Sequence, residues 1–124
     1  MLSDPMSTYE LEHLDSNEQG MELIALAGEL DLTNVGAFER RLETEVEPED
    51  ALVVDLNRVV FIDSAALHCF FRLARKRGPA GLAVVLEPAA PISRALEIVD
   101  LGRAVTVAPT VEAARTALIA ARAT

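Results

Sequence analysis

The spacing of apolar and polar residues changes period several times along the chain, and each change marks an element. Tyr9-Glu10-Leu11-Glu12-His13-Leu14 alternates weakly, as an edge strand does, and Met21-Glu22-Leu23-Ile24-Ala25-Leu26-Ala27 reads as a fuller strand. The polar turn Asn17 to Gly20 between them predicts a hairpin, with Gly28 as its end. The period then becomes helical. Val35, Phe38, Leu42 and Val46 make one apolar stripe, with Glu39, Arg40, Arg41 and Glu43 outside it. Thr33 or Asn34 is placed to cap this helix, and Pro48 marks its exit.

Ala51-Leu52-Val53-Val54-Asp55-Leu56 is nearly continuous in apolar residues, the pattern of a strand buried on both faces of a parallel sheet. A short apolar connection through Val59 to Ile62 leads to an Asp63-Ser64 pair at the mouth of a helix running to about Arg77. Leu67, Phe70, Phe71 and Ala74 form its stripe, and Arg72, Arg75, Lys76 and Arg77 gather toward its negative end. Gly78-Pro79 stops it. Leu82 to Leu86 predicts another buried strand, and Pro91 opens a helix with Ile92, Ala95, Leu96 and Val99 inward and Gly102 as its end. A short strand over Ala104 to Val107 and a last helix with Val111, Ala114, Leu118 and Ala121 inward complete the order β-β-α-β-α-β-α-β-α. That order predicts an α/β domain with a single mixed, mostly parallel sheet of about five strands and about four helices. Residues 1–7 are expected to be a disordered lead to one domain over 8–122, with no internal repeats and no linker long enough to divide it.

Composition narrows the function. At 124 residues the chain is one domain with room for a real core. No apolar run nears the roughly 18 to 20 residues that cross a bilayer, so no direct membrane contact is expected. The first dozen residues lack a basic stretch followed by an apolar one, so no secretory signal is expected, and the lone Cys69 has no partner for an internal disulfide. A cytoplasmic location follows as the expectation. The net charge of −9 disfavours nucleic acid, whose phosphates need clustered Lys and Arg. The charge is also uneven. Residues 1–55 hold 15 acids against Arg40 and Arg41, a net of −13, whereas residues 56–124 hold 5 acids against 9 bases, a net of +4. An acidic front half suits a basic protein partner, and equally a merely soluble surface.

The candidate chemistry centres on Ser64. Catalysis by a serine needs a base; His68, four residues on, is in helical reach, but the flanks Ile62 and Ala66 do not make a nucleophile elbow, and no oxyanion motif is present. As an N-cap, Ser64 is worth about 1 kcal/mol to its helix. As a phosphate acceptor it has free helix N–H groups and the positive end of the dipole beside it. The two roles are compatible, since a phosphate adds roughly −1.5 to −2 charge at a helix start that tolerates it, with Asp63 turning it outward. Asp31 either caps local N–H groups or joins Asp63 and Ser64 at the C-terminal ends of the strands, where α/β sites gather, provided its strand runs parallel to that of Val53. Two distant histidines and one cysteine make no metal-ligand set, and no Gly-rich nucleotide loop occurs, so neither metal nor cofactor is expected. Cys69 reads as a core residue, and His68 as a polar neighbour of the Ser64 surface.

Gly28-Glu29-Leu30-Asp31, then Asp55-Leu56, then Val60-Phe61-Ile62-Asp63-Ser64 before a small-residue helix start resembles the STAS domain of anti-sigma factor antagonists, over roughly residues 8 to 120. The later run Leu96 to Gly102 resembles the family's third helix and its glycine exit. The resemblance implies the STAS fold and a non-enzymatic phosphoprotein of transcription regulation that works by partner switching. Ser64 would be the phosphoacceptor, with Asp31, Thr33, Asp63, Ala65, Ala66 and His68 on the partner-binding surface. The implied partners are an anti-sigma factor with serine kinase activity, of the histidine-kinase-like ATPase fold, and a serine phosphatase that resets the switch. The unphosphorylated antagonist would bind the anti-sigma factor and free the sigma factor. Where the family often reads Asp-Ser-Ser-Gly-Leu, this chain reads Asp63-Ser64-Ala65-Ala66-Leu67, which leaves one hydroxyl and replaces the glycine. Two other roles remain open: a STAS subunit of a lipid-transport ATPase complex or stress-sensing assembly, and a small-ligand module, against which the acidic surface and scarce aromatics argue.

Overall fold

The computed structural model describes residues 8–123, so the lead assigned to residues 1–7 lies outside the described residues. Strands β1 (Tyr9–Leu14) and β2 (Met21–Leu30) form the hairpin, followed by α1 (Val35–Glu45), β3 (Ala51–Ile62), α2 (Ser64–Arg77), β4 (Leu82–Val85), α3 (Ser93–Ile98), a one-turn 3₁₀ helix (Leu101–Arg103), β5 (Thr106–Ala108) and α4 (Val111–Arg122). The sheet has the order β1-β2-β3-β4-β5, with β1 antiparallel to β2 and every other pair parallel. Consecutive strands are thus neighbours throughout, as short right-handed crossovers produce.

The two faces of the sheet are unequal. Ile24, Leu26, Leu52, Val54 and Leu56 point to one side and pack with Phe38 and Leu42 of α1, Phe70 and Leu73 of α2 and Leu96 of α3. Tyr9, Phe38 and Phe70 run through this layer as an aromatic row, with ring centroids 6.2 and 6.0 Å apart. Met21, Leu23, Val53, Ala83 and Val85 point to the other side, covered by Ala114 and Leu118 of α4. That helix is also tied to the N-terminal hairpin turn: Arg115 donates to the Ser16 carbonyl at 2.9 Å and Arg122 to the Gly20 carbonyl at 3.1 Å.

Several boundaries move from their sequence-based positions. Gly28 does not end β2. It adopts φ +97° within the strand, where the pairing to β3 shifts register, and a Cβ there would run into the Thr8 carbonyl oxygen. The Glu29 N–H takes that same carbonyl at 2.8 Å, which draws the two chains too close for a side chain. The apolar connection after Leu56 is not a connection but strand. Gly28 pairs with Val59, Glu29 with Phe61 and Leu30 with Ile62, so β3 runs 12 residues and extends seven beyond Asp55, the last residue to pair with β4. The third helix is a short six residues, and Val99, expected on its inner stripe, is 38% exposed because the helix has already ended. Gly102 lies inside the 3₁₀ turn that follows, and the last strand begins two residues later than expected, at Thr106.

Candidate functional site

Because β2 and β3 are parallel neighbours, the loops that leave their C-terminal ends emerge side by side. Leu30 pairs with Ile62, so residues 31–34 and residue 63 are adjacent, which meets the condition set for grouping Asp31 with Asp63 and Ser64. The join between them is direct. Asp63 accepts the Leu32 N–H on Oδ2 at 2.9 Å and the Ala66 N–H on Oδ1 at 3.0 Å. Its own N–H donates to the Leu30 carbonyl at 3.3 Å. One carboxylate therefore caps α2 and clasps the neighbouring loop. The Ala66 N–H foremost holds the Asp63 carboxyl below the usual aspartate range; burial opposes it, and the backbone donors of Leu32 and Ala65 add to the lowering.

The cap of α2 is thus Asp63 and not Ser64, which occupies the first helical position. The reason is reach: an oxygen one residue before the helix can turn back to the third N–H, as Asp63 does. Ser64 is exposed, and its hydroxyl has no protein hydrogen-bond partner among the described residues. No bond joins it to His68, which is exposed one turn further along α2. Ala65 is half-buried beside them. Ala66, expected at the partner surface, is fully buried instead, because the third position of α2 turns toward the sheet.

The companion loop is organised by two side chains. Asp31 Oδ1 accepts the Thr33 N–H at 2.9 Å and the Thr33 hydroxyl at 2.5 Å. Asn34 holds the N-cap position of α1 but caps nothing with its side chain, contrary to the expectation for Thr33 or Asn34. It is buried; its Oδ1 accepts the Asp31 N–H at 3.0 Å, and its amide donates to Thr8 Oγ1 at 2.8 Å and to the Glu29 carbonyl at 2.9 Å. Asn34 thereby fixes where Asp31 and Thr33 sit.

An apolar component completes the site and was not singled out from the sequence. Leu32 is 75% exposed, Val60 60% and Phe61 47%. Leu32 lies on the loop that Asp63 clasps, and Val60 and Phe61 lie on the overhanging end of β3, immediately before Asp63. The signal for Val60 and Phe61 was available in the Val-x-Phe-x-Asp-Ser run, but reading it as a short apolar connection concealed it. Among the described residues no group of His, Cys, Asp and Glu is arranged to hold a metal ion, and no helix is long and apolar enough to cross a membrane. Cys69 is buried, and burial, with Glu39 nearby, pushes its thiol up to about 12, which keeps it unreactive.

Comparison with known proteins decides the family. The family model of the STAS domain matches residues 14–114. This chain belongs to the STAS family. Among solved structures, it is similar to an anti-sigma factor antagonist from Mycobacterium paratuberculosis, at 28% identity and a TM-score of 0.76, over 94% of this chain and 98% of that one. No curated protein matches it. The STAS fold accounts for the topology described above, in which Asp63 and Ser64 stand where the ends of β2 and β3 are joined.

Proposed function

We propose that this STAS domain is an anti-sigma factor antagonist whose binding to an anti-sigma factor is switched off by phosphorylation of Ser64. The observation that carries the reading is the division of labour at the head of α2: Asp63 does the capping, so the exposed Ser64 hydroxyl is left with no structural duty. The kinase is the anti-sigma factor itself, an ATPase of the histidine-kinase-like fold. In the transfer, the Ser64 oxygen attacks the γ-phosphorus of ATP, the bond to the β-phosphate oxygen breaks, ADP leaves, and the hydroxyl proton passes to a base of the kinase. A phosphatase reverses the state by hydrolysis.

The change in charge is what the partner reads. A phosphate brings roughly −1.5 to −2 charge to a corner that already carries Asp31 and Asp63. The positive end of α2 tolerates it, but Asp63 occupies the nearest donors, so the phosphate points outward. The surface offered to the unphosphorylated protein's partner comprises Leu32, Phe61, Thr33, Ala65 and His68 around Ser64, and a phosphate set in its middle imposes desolvation and like-charge penalties on the complex. In this scheme the chain is a substrate and switch and performs no catalysis.

The test is a paired capture from native lysate with adenine nucleotide, using wild type and Ser64→Asp as baits, followed by titration calorimetry with the captured protein after purification. A small kinase-like ATPase held by wild type and lost with Ser64→Asp is expected. Incubation of that ATPase and ATP with wild type is expected to add the mass of one phosphate, and Ser64→Ala is expected to gain none. Equal affinity of wild type and Ser64→Asp sinks the switch. Retention of the same transporter or sensor components by both baits instead favours a STAS subunit of a larger assembly.

A further inference from the structure

We draw no further inference here: the strongest candidate, the apolar patch of Val60 and Phe61 on the end of β3 that overruns β4, with Leu32 on the neighbouring loop, belongs to the corner already described, and nothing in the structure shows what else covers it.

Discussion

The heads of α1 and α2 lie side by side at the same end of the sheet, and each offers a hydroxyl and an aspartate, yet they use them oppositely. At α1 the hydroxyl is consumed: Thr33 donates to Asp31 at 2.5 Å, and the neighbouring Asn34 is buried with all its polar atoms committed to the loop. At α2 the aspartate takes the structural work and the hydroxyl is spared, since Asp63 both caps the helix and clasps Leu32 while the Ser64 hydroxyl has no partner among the described residues. A hydroxyl can serve as a switch only if the fold does not depend on it. The difference between Thr33 and Ser64 lies in whether a neighbouring carboxylate holds the hydroxyl or relieves it of the cap.

Substitutions that strike the α1 side should therefore unfold, and those on the α2 side should progressively spare stability. The largest effect is expected at Gly28, whose positive φ and contact with Thr8 set the path of the chain into Asp31. Gly28→Ala should lose roughly 1–3 kcal/mol from backbone conformation alone, with the clash in addition, read as a lower denaturant midpoint. Asn34→Ala comes next, at about 1–3 kcal/mol, because it leaves the half-buried bonds to the Asp31 N–H and the Glu29 carbonyl unmade. Asp63→Ala is expected to cost about 1 kcal/mol for the cap, with a little more for the clasp. Its signature is in pH. The folded carboxyl titrates below its unfolded value, so the contribution is full above about pH 5 and fades as pH falls through about 4 and below. The wild-type advantage over Asp63→Ala in thermal melts should shrink over that window and be constant from pH 5 to 7. The smallest effect is expected for Ser64→Ala, within about 0.5 kcal/mol of wild type, as for an exposed side chain without partners. A loss at Ser64 comparable with that at Asn34 would erase the contrast between the two heads.

Much of this architecture was legible because the signals were local. The helical stripe from Val35 to Val46 and the Gly78-Pro79 stop lie within a few residues of what they determine. The strand order followed from alternation of element types and the handedness of crossovers. What escaped reading depended on neighbours distant in sequence. The extension of β3 to Ile62 rests on pairing with β2, and the polar Asn57-Arg58 break concealed it. Gly28 punctuates most chains, but here Thr8 across the hairpin makes it a strand residue. Of the candidate site, the grouping of Asp31, Asp63 and Ser64 was visible from their positions after strands. The assignment of the cap to Asp63 was not, because either residue of an Asp-Ser pair can cap and only the clasp to Leu32 breaks the tie. Ala66 was misplaced for a simpler reason: helical phase aligns it with Phe70 and so with the core.

The two arginine ties of α4 have a consequence for how the molecule is made. With consecutive strands as neighbours, each strand leaving the ribosome finds its pairing edge already displayed, so the sheet can grow in the order of synthesis. Its second face stays bare until the last helix is released. Arg115 and Arg122 then reach back 99 and 102 residues to the hairpin turn that emerged first. Contacts of such span are the slowest to close. The nascent chain therefore carries an open apolar face, lined by Met21, Leu23 and Val53, until α4 has emerged and docked on it.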